Sequence, residues 1–297
     1  MRVWHRIAIG CDPEGLALST VPVVAAIAER GHADVLAIGV NTLGDTAGKE
    51  VNATVDELVA SLRQLGAHPT SLICDAKPDR VATALVEAAG QFGADLIALG
   101  SHQRSDLRGL VLGSTVRGIA QVTETPLLVV GSHPARASMT SRGVPFPTRI
   151  LIAIDASRQS EFAVTTAGLM ARPGSEVRVF HVMPSPSLYD LFTWKTDVTR
   201  AQLLVQRAVD KLDQPGIHVT KEVVSGLGGV AEAIVARASM WRADVIVLGS
   251  RAHGRLGGFL VGSTAQAVIR QTSIPVVLGG RPKHGARAEW RGEADLN

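Results

Sequence analysis

Two stretches of this chain are built to one plan, and any fold must accommodate both. The apolar run "ADVIVL" leads into "GSRAHGRLGGFLVGST", Gly249 to Thr264, and "ADLIAL" leads into "GSHQRSDLRGLVLGST", Gly100 to Thr115. In each, twelve residues separate the first glycine from the closing Gly-Ser-Thr. A unit that recurs must find a core each time, and 297 residues at about 150 per domain leave room for two.

The remaining signals fall into register around this repeat. "RIAIGCD" and "RILIAID" are short apolar strands that end in Asp12 and Asp155, each followed by a helical segment. "DVLAIGV" and "EVRVFHV" are second strands. Amphipathic helices follow, with Val51, Val55, Leu58, Val59, Leu62 and Leu65 at helical spacing in the first half and Leu203, Leu204, Ala208 and Leu212 in the second. Third strands around "TSLICDA" and "VTKEVVS", third helices, the fourth strands with their loops, fourth helices and the fifth strands "TPLLVVG" and "IPVVLGG" complete each half. Strands that are apolar throughout are covered on both faces, and helices between them supply the crossovers of a parallel sheet. The expected fold class is α/β, two tandem doubly wound five-stranded parallel sheets. The expected divisions are residues 1–131, a polar, proline-bearing linker at 132–148, residues 149–280 and a tail at 281–297. Both fifth strands are apolar and would lie at sheet edges, so the two halves are expected to pack as an intramolecular pseudo-dimer.

In such a sheet, ligands bind beyond the carboxyl ends of the strands where the winding reverses, here between strands one and four. That places Asp155 near Gly249, and Asp12 near Gly100. Gly249 and Gly262 let backbone approach a ligand, and Ser263 and Thr264 open a helix whose free N–H groups favour an anion. Arg251, His253 and Arg255 add positive charge. An aspartate accepts from an amino or hydroxyl group. Together these suit a nucleotide, with its phosphates on the loop and its nucleoside by the aspartate. The bland reading is a turn with an N-cap, because Ser, Thr and Asp also cap helices. His181, inside an apolar strand, reads as a core histidine rather than a ligand.

Other chemistry is poorly represented. Cys11 and Cys74 are the only cysteines and are not spaced as CxxC, so buried thiols are expected rather than a disulfide, zinc or redox site. A net charge of +3 comes with one Tyr, six Phe and no dense basic run, which does not indicate nucleic acid as a partner. The longest apolar stretches fall short of the roughly 20 residues of a membrane span, and the start lacks a signal-peptide pattern, so a cytoplasmic protein is expected. "GLGGVA", Gly226 to Ala231, mimics a dinucleotide fingerprint with Asp244 at the dehydrogenase spacing, but Asp244 opens a strand where the ribose-binding acid should close one. "GDTAGKE", Gly44 to Glu50, is one residue short of a P-loop and reads as a loop.

The combination "ILIAIDAS … HVMP … ADVIVLGSR … FLVGST … IPVVL" resembles the universal stress protein family, in two units from Arg6 to Gly280. The resemblance implies ATP binding, with magnesium, on a flavodoxin-like or adenine-nucleotide-hydrolase-like sheet of order 3-2-1-4-5. It implies that Gly249, Arg251, Gly262, Ser263 and Thr264 meet phosphates and ribose, Asp155 the nucleoside and the Val182 backbone the adenine edge. Gly100, Gly113, Ser114, Thr115, Asp12 and Val40 match in the first unit. Gly10, Ser101, His102 and Gln103, with Ala153, Ser157, Ser250, Ala252 and His253, complete the candidate set; no catalytic or metal-ligating residue is expected. The family's second loop glycine is Ala252 in one unit and Gln103 in the other, and Pro13-Glu14 follows Asp12 where Ser157 follows Asp155, so the second site is expected to bind at least as well. The resemblance implies a regulatory or stress-response protein whose chain can self-associate into a homodimer. The rivals are a slow ATPase and an interaction protein with degenerate sites.

Overall fold

The computed structural model describes residues 4–11, 16–42, 45–101, 114–131, 147–184, 194–226, 229–249, 251–253 and 259–280. The first half contributes strands β1 (Arg6–Cys11), β2 (Asp34–Asn41), β3 (His68–Asp75), β4 (Leu96–Ser101) and β5 (Leu127–Gly131). Its helices are α1 (Val21–Gly31), entered through a 3₁₀ turn at Leu16–Thr20, α2 (Asp45–Gln64), α3 (Val81–Phe92) and α4 (Ser114–Val122). The second half repeats the order with β6 (Arg149–Ala153), α5 (Arg158–Met170), β7 (Glu176–Pro184), α6 (Trp194–Leu212), β8 (His218–Gly226), α7 (Val230–Trp241), β9 (Val245–Gly249), α8 (Ser263–Gln271) and β12 (Val276–Gly279). Between β9 and α8 lies a short hairpin, β10 (Arg251–His253) and β11 (Phe259–Val261).

The two sets of five strands form one ten-stranded sheet of order β3-β2-β1-β4-β5-β12-β9-β6-β7-β8. Each half has the order 3-2-1-4-5 and is parallel throughout. The fifth strands join the halves antiparallel, with Leu127 opposite Leu278, Leu128 opposite Val277 and Val129 opposite Val276. The pairing expected of two apolar edges is thus made inside the chain. Alternation along the strands sorts the core into two layers, and both layers cross the joint. Leu128, Val130 and Val277 pack on one face with Ile7, Ile9, Ile150 and Ile152; Leu127, Val129 and Leu278 pack on the other with Ile38, Leu99 and Ile246. Beyond β12, Gly280 touches the first half so closely that an added Cβ would lie 2.3 Å from the Glu124 carbonyl oxygen.

Three expectations change. Residues 45–50 are the opening turns of α2 rather than loop, because the helix runs on into polar residues before its apolar stripe begins at Val51. Leu65 lies just past that helix and is 38% exposed, and Leu203 is 55% exposed. The buried stripe of α6 is Ala201, Val205, Ala208 and Leu212, whose four-three-four spacing follows the helical turn better than one through Leu203. Cys11 and Cys74 form no disulfide and are half-buried rather than fully buried, and burial pushes the Cys74 thiol pKa up. Among the described residues no helix is long and apolar enough to cross a membrane.

Asp95 and Asp244 are the same device used twice. Asp95 accepts from the N–H groups of His5 and Arg6, and Asp244 Oδ2 from those of Thr148 and Arg149 at 2.9 and 2.8 Å. Each carboxylate pins the start of its half's first strand, which gives Asp244 a structural role in place of the dehydrogenase role its spacing mimicked. Asp244→Ala leaves part-buried N–H groups without that acceptor and is expected to destabilise by about 1–3 kcal/mol in urea unfolding, with Asn restoring part of it.

Candidate functional site

The carboxyl ends of β6 and β9, neighbours in the sheet at the switch in winding, open into a cleft of about 750 Å³. Its polar rim is Asp155, Ser157, Gly249, Gly262, Ser263 and Thr264, with Arg158 and Gln159 beside them. Ala153, Phe180, Val182, Val230, Ile234 and Leu248 wall it with apolar surface. Residues far apart in sequence thus meet as the strand order requires.

Asp155 leads from β6 into α5. Its Oδ1 accepts from the Ser157 N–H at 2.9 Å, from the Ser160 hydroxyl at 2.7 Å and from the Ser157 hydroxyl. The Asp155 N–H in turn donates to Ser160 Oγ at 2.8 Å. Desolvation opposes ionisation of this carboxyl, but the Ser157 and Ser160 hydroxyls, the Ser157 N–H and nearby His181 hold its pKa below the ordinary carboxylate value. Asp155 is therefore not the N-cap of α5, a place taken by Ser157, but it organises the turn before that helix through Oδ1. Among the described residues Oδ2 has no partner, and it remains an acceptor on the cleft rim.

The next strand ends in an unusual way. Ile154 N–H donates to the Phe180 carbonyl, which sets the even-numbered residues of β7 with their N–H and C=O groups toward β6. Continued by one step, the ladder would bring the Val182 N–H to the Ile154 carbonyl. That oxygen instead accepts from the His181 ring, with Nδ1 at 2.7 Å. His181 is half-buried and acts as structure, in line with its sequence reading. The consequence falls on its neighbour: among the described residues the Val182 N–H and C=O point past the end of β6 with no protein partner, in a residue only 8% exposed that lines the cleft.

The third wall is the loop itself. Its flanks pair as a hairpin, Arg251 opposite Val261 and His253 opposite Phe259, a pairing the sequence reading did not anticipate. The backbones of Arg251, Ala252 and His253 are therefore set in β10, while Ser250 lies outside the described residues. Gly249 lies so close to α5 that a Cβ would come within 2.8–3.0 Å of Gln159. Gly262 is different: a Cβ there meets nothing within 4 Å. It is the N-cap of α8 and no side-chain hydrogen bond caps that helix, so neither Ser263 nor Thr264 serves as the cap their residue types suggested. The first N–H groups of α8 face the cleft unsatisfied within the helix.

The first half repeats the frame with altered contents. Gly100, Ser101, Ser114 and Thr115 occupy the matching strand end and helix start, and Val40 sits near the end of β2. Asp12, His102, Gln103 and Gly113 lie outside the described residues. Gly10 stands where the second half has Ala153, and the position of its missing Cβ lies 2.5 and 2.6 Å from the Leu85 and Leu99 side chains. Gly39 stands where the second half has His181, its Cβ position within 2.7–2.8 Å of Val51 and Val55. No imidazole is available there to displace a ladder bond. Sequence reading missed Arg158, Gln159 and Ser160, and of the apolar wall it missed Phe180, Val230, Ile234 and Leu248. Ser160 lies one helical turn beyond Ser157, which was a readable signal; the wall residues looked like ordinary core.

The model of the universal stress protein family matches residues 43–131 and 147–278. A universal stress protein of Mycobacterium tuberculosis is 27% identical over 192 residues, covering 62% of this chain and 61% of that protein. The chain thus spans about three fifths of the length of such relatives. A second universal stress protein of that organism is 26% identical over 227 residues, covering 74% of this chain and 71% of its own length. Among solved structures, a universal stress protein from Archaeoglobus fulgidus superposes with a TM-score of 0.63 at 19% identity, over 93% of this chain and 98% of that one. A protein from Pseudomonas aeruginosa described as a putative universal stress protein gives 0.60 at 18% identity, over 93% and 92%. These structural likenesses establish the fold.

Proposed function

The chain belongs to the universal stress protein family, and from that premise we propose that its second half binds an adenine nucleotide, ATP with magnesium, whose presence sets the conformation or partners of a cytoplasmic stress-response protein. The observation that carries this reading is that, among the described residues, the N–H and C=O of Val182 have no protein partner. A buried backbone donor and acceptor without partners cost stability unless a ligand meets them, and adjacent donor and acceptor suit the acceptor-donor edge of adenine. Phe180, Val230, Ile234 and Leu248 supply apolar surface for a base. Asp155 Oδ2 is available to a ribose hydroxyl, and the unsatisfied start of α8, approached over bare Gly262, suits phosphate.

Among the described residues no three His, Cys, Asp or Glu side chains gather to hold a metal. Magnesium would come with the phosphates, and its chemistry there is to neutralise their charge. We read the protein as a binding module in which any hydrolysis is slow, because the one carboxylate on the described cleft rim, Asp155, is engaged in its own turn through Oδ1.

Thermal unfolding with and without Mg-ATP tests the reading. Ligand at about 100 times its dissociation constant is expected to add roughly 2.7 kcal/mol. No shift with any adenine nucleotide would leave the interaction-protein reading standing. ADP release followed over hours would separate a slow ATPase from a pure binder, and small molecules released from the denatured protein would identify the native ligand.

A further inference from the structure

The two halves end the pairing of their first two strands differently, and one side chain makes the difference. In the first half the Asp34 N–H donates to the His5 carbonyl, so even-numbered residues of β2 turn their N–H and C=O groups toward β1. The pairing runs on to Cys11 opposite Gly39, a step that is closed by the Val40 N–H on the Cys11 carbonyl. In the second half the Glu176 N–H donates to the Thr148 carbonyl in the same way, but the pairing stops one step earlier, at Ala153 opposite Phe180. Ile154 and Val182 stand where Cys11 and Val40 stand. The step that is missing is the one in which the Val182 N–H would reach the Ile154 carbonyl, and His181 Nδ1 holds that oxygen at 2.7 Å.

In the first half Gly39 takes the place of His181, and α2 leaves no room there for a ring: a Cβ would lie 2.7 Å from Val51 Cγ1 and 2.8 Å from Val55 Cγ2. The first half therefore spends its Val40 amide inside the sheet, while the second keeps its Val182 amide out of it. His181 does not line the cleft; it follows Val177 and Val179 on the opposite sheet face, whereas Phe180 and Val182 lie on the cleft face.

We propose that His181 is the positioning residue that gives the second cleft its choice of base, and that the first half, with Val40 tied into the ladder, makes no such choice. The inference rests on the reading of the second cleft as an adenine-nucleotide site. Adenine offers a ring-nitrogen acceptor beside an amino donor, which match the N–H and C=O of Val182. Guanine in the same pose sets donor against donor and carbonyl against carbonyl, and a site that leaves buried polar groups unpaired rejects such a ligand strongly. That discrimination lasts only while the Val182 N–H is withheld from the ladder. His181 acts through the Ile154 carbonyl that it occupies, not through contact with the base.

Two measurements on the full chain decide it. In the apo protein the Val182 amide is expected to exchange with solvent faster than that of Val40, by on the order of tenfold, and His181→Ala is expected to slow it to the rate of Val40 by releasing the Ile154 carbonyl to the ladder. His181→Asn, whose side-chain N–H is carried on the same Cγ position, is expected to keep it fast. In calorimetric titration the parent is expected to prefer Mg-ATP over Mg-GTP at its tighter site by about tenfold or more, His181→Ala to bring the two within about threefold, and His181→Asn to restore the preference. A histidine that served stability alone would move the melting temperature and both affinities together. Val182 exchanging as slowly as Val40 in the parent, or an ATP preference that survives in His181→Ala, would overturn the role of His181. Binding of neither nucleotide by the parent would overturn the nucleotide reading and the choice of base with it, and the exchange rates distinguish that failure from a ladder that His181 does not control.

Discussion

Gly262→Leu is expected to leave the fold and melting temperature of the apo protein unchanged while weakening Mg-ATP binding at the second site by at least tenfold, about 1.4 kcal/mol. The position has φ −55° and ψ 144°, open to any residue, and a Cβ meets no atom within 4 Å. The leucine would occupy the approach to the free N–H groups of α8. Few positions separate binding from folding so cleanly. The matching change, Gly113→Leu, is expected to cost less binding, since the first half has Gln103 at the phosphate loop, Glu14 after the aspartate and Gly39 in place of His181. Calorimetric titration of both variants gives the order of the sites, and a larger loss at Gly113 would reverse it.

Gly280→Val should do the opposite: damage the fold without touching either cleft. Its Cβ would fall 2.3 Å from the Glu124 carbonyl oxygen and 2.7 Å from Thr125 and Pro126 backbone atoms, and backbone gives way less readily than the end of a side chain. Overpacking of this kind costs roughly 1–3 kcal/mol, and here the strain would fall on the contact between halves. Urea unfolding of Gly280→Val beside Gly262→Val makes the comparison, with equal midpoints as the result that would discredit the close approach.

Most of the architecture was legible because it rests on periodicity. Unbroken apolar strands separated by helical segments read directly as a parallel sheet, and the apolar fifth strands foretold their own pairing. Helix boundaries were less legible: residues 45–50 are polar and carry no stripe, so nothing marked them as the start of α2. In the site, Asp155, Gly249 and Gly262 to Thr264 stood out as punctuation in the chain and do converge on one cleft. Its apolar wall did not, because Phe180 or Leu248 facing a cleft looks the same in sequence as one facing a core. The Val182 amide was named only by family resemblance. Its freedom depends on where β6 stops and on a ring from the preceding residue, which no local pattern encodes.

The antiparallel seam between β5 and β12 also decides how the protein responds to dilution. Two separate chains meeting along such a seam would obey mass action and come apart as their concentration fell. Here both strands belong to one polypeptide, so the seam forms at an effective concentration fixed by the connecting residues and is indifferent to how many molecules are present. Scarcity therefore leaves the ten-stranded sheet, and the cleft within it, intact.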